Sequence, residues 1–316
     1  MRTLLVDGNN LGYKCFIVMY ESTGQLRTNT GIPTTASFGV LRMMDLFTKS
    51  MNVDRTIVCW DGGSKYRKKV FKWYKHHRTP APWAKDYYEE LDVARTYYAK
   101  MGLVQGYVKG IEADDVIGYF TRKFREIGDR VIIMSDDKDF FQLTPFDVRI
   151  YRPTKMEIVS KIEMEERLNF PPKLLPRIVA FKGEKKDNIP GTFDLDEGHI
   201  MTLHGLGPKK ALDYITNPDG GYYTVKQAIA NVSKDDRFYD AIQANKKQII
   251  KSHKLARIRT KDKLYMDWEL DNLEKIYEQV MLAQKIGRGI VGKVGEYLEF
   301  KNINLLSTLK KLGVKV

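Results

Sequence analysis

Glu112, Asp114 and Asp115 crowd into four positions of the stretch GIEADDVIGYF, residues 110–120, in a chain whose formal net charge is +13. Two kinds of chemistry suit such a cluster. Acids favour the first turn of a helix, where unpaired backbone N–H groups carry partial positive charge. Grouped carboxylates also suit hard divalent cations, which prefer oxygen ligands. Val116, Ile117, Phe120, Phe124 and Ile127 follow helical spacing and Gly128 supplies a stop, so an amphipathic helix starts here. Three acids exceed what a cap needs, because like charges at that range repel. On these residues alone the two readings stand even.

Other acids sit where chemistry could use them. Three short apolar runs end in aspartate: TLLVD at Asp7, TIVCWD at Asp61, and VIIMSDD at Asp136 and Asp137. Each is rich in Val, Ile or Leu and too short for a helix, which predicts a strand buried on both faces. Helical patterns from Ser37 to Lys49 and from Ala84 to Met101 separate them, and a fourth run, LVQGYV, precedes the Glu112 helix. This alternation predicts an α/β fold with a mainly parallel sheet flanked by helices. Ligands of open α/β sheets bind beyond the carboxyl ends of the strands. The strand-terminal aspartates, Asp139 and the acids of the Glu112 helix are therefore expected at one edge. A turn or a helix cap explains any one of them; it explains the whole set poorly.

The 316 residues allow one large domain or a domain with a smaller helical one, and 43% hydrophobic composition supplies a core. No run has the length and apolarity of a membrane span, and the start MRTLLVDGNN lacks a signal-peptide pattern. A cytoplasmic protein without a membrane role is expected. Cys15 and Cys59 have no zinc-site spacing, and the five histidines form no ligand pattern. The pI near 9.4 suits a polyanionic partner, most often nucleic acid. Beyond Leu143 the short run VRIYRP leads into mostly helical sequence.

Three further segments carry chemistry. In FKGEKKDNIPG, Glu184 and Asp187 lie three apart, on one side of a helical turn, although on these residues alone a polar, charge-rich surface loop is the favoured reading. In KYRKKVFKWYKHHR, Lys65, Arg67, Lys68, Lys69, Lys72, Lys75 and Arg78 interleave with Tyr66, Phe71, Trp73 and Tyr74. Such interleaving suits single-stranded nucleic acid, with cations on phosphates and rings stacked on bases. A solvated helix with core-facing aromatics is the plainer reading. LHGLGPKKALDYI, residues 203–215, reads as a helix-hairpin-helix: Gly205 and Gly207 allow close approach, and Lys209 and Lys210 add charge at a helix start that can face a phosphate.

Taken in order, LLVDGNN, CWDGGSKYRKKVFKWYKHHR, GIEADDVIG, SDDKDFFQL, KGEKKDNIPG and HGLGPKKA resemble the 5′-nuclease or flap endonuclease superfamily. That family includes the 5′-nuclease domain of bacterial DNA polymerase I and bacteriophage 5′-3′ exonucleases, among them those of RNase H type. The resemblance spans roughly residues 2–215. It implies a catalytic domain over 1–191, with a helical arch at about 65–100, and a helical subdomain over 192–316.

Matching motifs carry the family's acids onto Asp7, Asp61, Glu112, Asp114, Asp115, Asp137, Asp139, Glu184 and Asp187. The resemblance implies two Mg²⁺ ions, with Mn²⁺ as substitute. Asp7, Asp61, Glu112, Asp114 and Asp137 would hold the first, with Asp139, Glu184 and Asp187 nearer the second. Tyr74, Lys75 and Arg78 match the family's arch, where Lys75 and Arg78 would neutralise charge on the scissile phosphate. The stretch TPAPWAKDYYEELDVARTYY would complete that arch, and a K⁺ ion at the Gly205 turn is a further family feature.

Three departures stand out. Glu184 replaces a usual Asp, Asp136 replaces a usual Gly and adds an acid, and residues 192–202, with Asp194, Asp196 and Glu197, form an insertion. The expectation is a monomeric, standalone phage-type enzyme acting on DNA with a 5′ flap or free 5′ end, or on an RNA–DNA hybrid during replication. A single-strand-binding or clamp protein is an expected partner class. The rivals are a non-catalytic junction-binding protein and an RNA-processing nuclease with a related acidic sheet edge.

Overall fold

The apolar runs pair as strands. In the computed structural model, β1 (Arg2–Asp7), β2 (Arg55–Cys59), β3 (Val104–Gly106), β4 (Arg130–Met134), β5 (Arg149–Arg152) and β6 (Glu157–Val159) form one sheet in the order β3-β2-β1-β4-β5-β6. All pairings are parallel except β5 with β6. The chain winds outward from β1 through β2 to β3, then returns to β4 on the other side. A switch point thus falls between β1 and β4, the usual place for a ligand crevice in such sheets. The structure describes all residues except 193–194, 197–198, 201–202, 204, 283–287 and 301–302; for 23, 195–196, 199–200 and 288–289 it describes the backbone alone.

The chain divides into two units. The first comprises residues 1–63, 80–161 and 259–316; the second comprises 64–79 and 162–258. This is not the expected division at 191. The C-terminal segment carries Val291, Leu298, Leu309 and Leu312 into the same core as Leu4, Val6, Val58, Ile132 and Met134 of the sheet. It is tied there by Thr56 Oγ1, which donates to Leu312 O at 2.7 Å.

In the first unit, α1 (Gly8–Thr23), α2 (Thr35–Thr48) and α4 (Ala84–Lys100) supply Phe16, Val40, Phe47, Leu91 and Tyr98 to that core. One face of α4, which the sequence reading assigns to an arch, packs into this core. Tyr87, Leu91, Ala94 and Tyr98 recur at helical spacing and are all buried, so this stripe packs into the core, while Tyr88 on another side of the helix is exposed. Helices α5 (Ala113–Glu126) and α12 (Asp267–Met281) pack together and against strands of the sheet, while α13 (Arg288–Tyr297) and α14 (Leu305–Lys311) complete the unit. Val116, Ile117, Phe120 and Phe124 of α5 are fully buried, whereas Ile127 is about half exposed beyond the helix end.

The second unit is helical. It holds α3 (Lys65–Val70), α6 (Lys161–Leu168, all but its first residue), α7 (Leu175–Lys182), α8 (Pro208–Ile215), α9 (Val225–Ala230), α10 (Tyr239–Ala244) and α11 (Lys246–Ala256). Ile178, Phe181, Ala211, Ile215, Ile229, Ile242 and Ile249 make its core. A short hairpin, Leu195–Asp196 with His199–Ile200, lies within the 192–202 insertion. The inserted acids Asp194 and Glu197 lie outside the described residues.

Candidate active site

The parallel register fixes where the first unit's acids meet. Asp7, the last residue of β1, pairs with Cys59, and Val6 pairs with Met134, so the strand ends are level. One Asp7 oxygen accepts the Asn10 N–H at 3.1 Å and caps α1; the other accepts Ser135 Oγ at 2.8 Å. Ser135 Oγ in turn accepts the Asp137 N–H at 3.1 Å, and Asp137 Oδ1 accepts the Asp139 N–H at 2.9 Å. Three carboxylates thus stand in one hydrogen-bonded row at the carboxyl edge of the sheet.

Asp61 ties this edge to α5. Its backbone N–H donates to Asn9 Oδ1 at 2.8 Å, and its Oδ1 accepts the Ala113 N–H at 2.7 Å. The helix start is therefore served by Asp61. Glu112, buried at the N-cap position, makes no side-chain cap bond, so the helix-cap explanation does not account for it.

Gly62 makes this junction possible. Its N–H donates to Ile111 O at 2.7 Å, and an added Cβ would lie 1.9 Å from Val108 O. Backbone cannot yield as a flexible side chain would. Gly62→Ala is expected to cost about 1–3 kcal/mol, the range for forced overpacking, as a lowered urea midpoint at unchanged slope.

Asp115, read from the sequence as an ion ligand, and Asp136, read as an extra acid near the site, have other partners. Asp115 is fully buried and receives both the N–H of Arg259 and its Nε, each at 2.9 Å. Its charge is matched by a guanidinium, so it holds α5 in place. Asp136 is buried between Lys14 Nζ at 2.9 Å and Thr154 Oγ1 at 2.7 Å, and is neutralised locally. The polar residues that sequence reasoning passed over are Asn9, Asn10 and Ser135. All three lie inside quoted motifs, DGNN and SDD, and bond directly to the site's carboxylates or their backbone.

Burial of Asp7 raises its carboxyl from the usual 3.8 to about 7, and the charges of Asp61 and Asp137 add to the rise. The hydrogen bonds from Asn10 and Ser135 oppose it without cancelling it. Among the described residues no group of three or more Asp, Glu, His or Cys side chains is closed up as an ion cage. The donor chemistry nevertheless fits a hard divalent cation. The groups are all oxygens, and the nearby charges of Asp61 and Asp137 disfavour the ionised form of Asp7 until positive charge arrives.

In the second unit a loop over residues 183–191 presents Asp187. Glu184 and Ile189 exchange backbone hydrogen bonds at 2.8 and 2.9 Å, which closes the loop base. Gly191 has φ +63°, and an added Cβ would lie 2.3 Å from Gly183 N. Asp187 accepts from Tyr74 Oη at 3.1 Å, pairs with Lys75 Nζ at 3.6 Å and is bonded by Arg78. Lys75 itself sits at φ +54°, held there by its N–H bond to Asp187 O at 2.9 Å.

Two members of the basic-aromatic segment are corrected here. Arg67 is buried, and its guanidinium donates to Leu255 O at 2.9 Å and Arg257 O at 3.2 Å, capping the end of α11. Tyr74 is buried among Val179, Ile189 and Leu255, so its ring is unavailable for stacking on a base. Lys65, Lys68, Lys69 and Lys72 are exposed. The Gly205 turn has φ +89°, a conformation that suits glycine, whereas an added Cβ at Gly207 would meet nothing within 4 Å. Lys209 is exposed at the start of α8, while Lys210 pairs with Asp236 at 2.5 Å. The helix before this turn is α7, packed on α8 through Phe181 and Tyr214 at 5.7 Å.

Comparison with known proteins is consistent with this arrangement. A family model described as "5′-3′ exonuclease, N-terminal resolvase-like domain" matches residues 2–169. A 5′-3′ exonuclease of Aquifex aeolicus (strain VF5) is 30% identical over 277 residues, covering 87% of this chain and 86% of that protein. The thermostable DNA polymerase I of Thermus filiformis is 29% identical over 273 residues, 85% of this chain but 30% of the polymerase. Among solved structures, T5 5′-exonuclease with bound divalent zinc ions has a TM-score of 0.69 at 22% identity, covering 90% of this chain and 99% of that one. A bacteriophage T5 flap endonuclease complex with DNA and metal ions has a TM-score of 0.65 at 19% identity, covering 90% of this chain and 99% of that one.

Proposed function

Because the chain belongs to the 5′-3′ exonuclease family, we propose that it is a divalent-metal-dependent, structure-specific 5′-nuclease. The substrates proposed are DNA with a 5′ flap or free 5′ end, and RNA annealed to DNA. The observation that carries this reading is the row Asp7–Ser135–Asp137–Asp139, which gathers carboxylates from two adjacent strand ends at the sheet's switch point. A cap or a turn would use one such acid; a row of them suits cations.

Asp7, Asp61, Glu112, Asp114, Asp137 and Asp139 are the residues proposed to hold Mg²⁺, with Mn²⁺ as substitute. Bound there, such ions polarise water and stabilise the attacking and leaving oxygens at a phosphorus. The chain's own residues do the rest. Ser135 and Asn10 fix the orientation of Asp7, and Asp61 holds α5 so that Glu112 and Asp114 keep their places.

In the second unit, Lys75 and Arg78 are proposed to bind a phosphate, with Glu184 and Asp187 as acids for a cation. Asp187 keeps both cations ordered meanwhile. Exposed Lys65, Lys68, Lys69 and Lys72 suit a single-stranded backbone, and Gly205, Gly207 and Lys209 suit duplex phosphates, with K⁺ as a further ion at that turn.

The test is digestion of an end-labelled 5′-flap duplex, with single-stranded RNA as control. Mg²⁺-dependent cleavage of the flap is expected, and Asp137→Ala should lose it by about three orders of magnitude while keeping flap binding. Wild type that binds flaps yet never cuts them would establish the non-catalytic alternative. Preferential cleavage of the RNA would establish the RNA-processing one.

A further inference from the structure

At the opposite end of the first unit's strands lies a cleft of about 350 Å³, lined by Arg2, Arg125, Arg130 and Arg149 together with Met51 and Asp147. Arg2, Arg130 and Arg149 open β1, β4 and β5, so the cleft sits at the amino-terminal edge of the sheet. About 16 Å of strand separates it from Asp7. Nothing in the acid row described above uses it.

Arg2 and Arg130 are direct register partners on neighbouring strands, and Arg149 is register partner of Ile132, two residues along from Arg130. Register partners share a sheet face, and so do alternate residues of one strand. Three exposed arginine stems therefore rise from one face on adjacent strands, and Arg2 Nη1 donates to Asn52 O at 3.2 Å. Of the nearby acids, Asp54 accepts the Arg2 backbone N–H at 2.7 Å and Asp129 pairs with Arg55 and the amino terminus. Asp147 pairs with Arg125 at 3.5 Å and its side chain is largely exposed, a geometry worth little. Among the described residues no hydrogen bond or ion pair engages the guanidinium of Arg130 or Arg149.

We propose that this cleft binds a compact anion bearing contiguous phosphates, the chemistry shared by inorganic tripolyphosphate and nucleoside triphosphates. Its volume suits one small ligand. Guanidinium forks match phosphate oxygens two at a time, and they converge here from strands about 4.8 Å apart. An extended acidic peptide fits less well, because its carboxylates recur on one side only about every 6.8 Å.

The test is isothermal titration of the full chain with tripolyphosphate, dATP, inorganic phosphate and a glutamate-rich peptide. EDTA is present throughout, so that no divalent ion draws phosphate to the carboxylate edge. Saturable binding of tripolyphosphate and of dATP is expected, each at least tenfold tighter than phosphate. The double variant Arg130→Gln/Arg149→Gln should bind both at least about tenfold more weakly, through loss of charge-assisted hydrogen bonds, and should keep its flap cleavage. Equal affinity for the two ligands would mean that phosphates alone are read; tighter dATP would mean that the nucleoside adds contacts. Either supports the site. Should the double variant fold poorly, by its thermal midpoint, the single variant Arg149→Gln carries the same comparison. The proposal is overturned by no saturable tripolyphosphate binding, by binding unchanged in the variants, or by preference for the peptide.

Discussion

Asp7→Asn is expected to lose flap cleavage by about three orders of magnitude, the scale of several kcal/mol of charge stabilisation, and yet to fold more stably than wild type without metal at pH 8. The substitution is nearly isosteric. Asn can still accept the Asn10 N–H, and its NH2 can donate to Ser135 Oγ, whose own proton must then turn to another acceptor. What disappears is a buried charge.

The sign of the pH dependence follows from Asp7 holding its proton up to about pH 7, against 3.8 when unfolded. The native state binds that proton more tightly than the unfolded chain does. Its contribution to stability is therefore complete below about pH 4, is lost as pH rises toward 7, and stays lost above. The penalty at pH 8 is at most about 4 kcal/mol at 1.36 kcal/mol per unit. Urea unfolding in EDTA at pH 4.5 and 8 should show wild type weakening across that interval more steeply than Asp7→Asn. Added Mg²⁺ should restore wild type at pH 8 and do little for the variant. Undiminished cleavage by Asp7→Asn would remove Asp7 from the ion-holding set.

Much of this was legible in the residues, and the losses have identifiable causes. Strands β1, β2 and β4 are short buried runs between helical patterns, a signal that survives without context because both faces need apolar side chains. Their terminal aspartates follow from the parallel topology. Helix α1 has no separate start signal, because it begins directly at the strand's last residue, with Asp7 serving as both strand end and cap. The basic-aromatic segment misled in part. Interleaved Lys, Arg and aromatic residues look alike whether rings stack on bases or fill a core, and only burial separates Tyr74 and Arg67 from exposed Lys68 and Lys69. In α4 the spacing of Tyr87, Leu91, Ala94 and Tyr98 marks the packed stripe, since four apolar positions on one helical stripe imply packing. The fate of Asp115 could not be read at all: its partner Arg259 lies 144 residues away.

That pairing carries the largest expected effect on folding. Arg259, almost wholly buried, lies between Asp115 and Glu269, both fully buried. It bonds Asp115 twice at 2.9 Å, Glu269 Oε2 at 2.9 Å and Leu264 O at 3.2 Å, and it stacks over Tyr265 at 4.4 Å. Tyr265 Oη lies 2.7 Å from Asp115 O, which fastens the α5 backbone as well. Arg259→Met keeps the apolar stem and removes the guanidinium that the two buried carboxylates share. Breaking such an arrangement from one side costs about 3–5 kcal/mol, to be read as a fall in urea midpoint at unchanged slope.

A loss within about 0.5 kcal/mol would show that water or rearrangement satisfies both acids. Arg259→Lys distinguishes charge from geometry. It restores one positive charge but not the planar fork, so it should recover only part of the loss. A matched replacement of all three ionic groups by apolar ones can regain stability, because desolvation offsets much of what a buried pair contributes. Such a variant would separate two roles. If Asp115 serves only to hold α5, the stable apolar triad should retain flap cleavage and Mn²⁺ affinity; if its carboxylate meets an ion, both should fall while the fold survives.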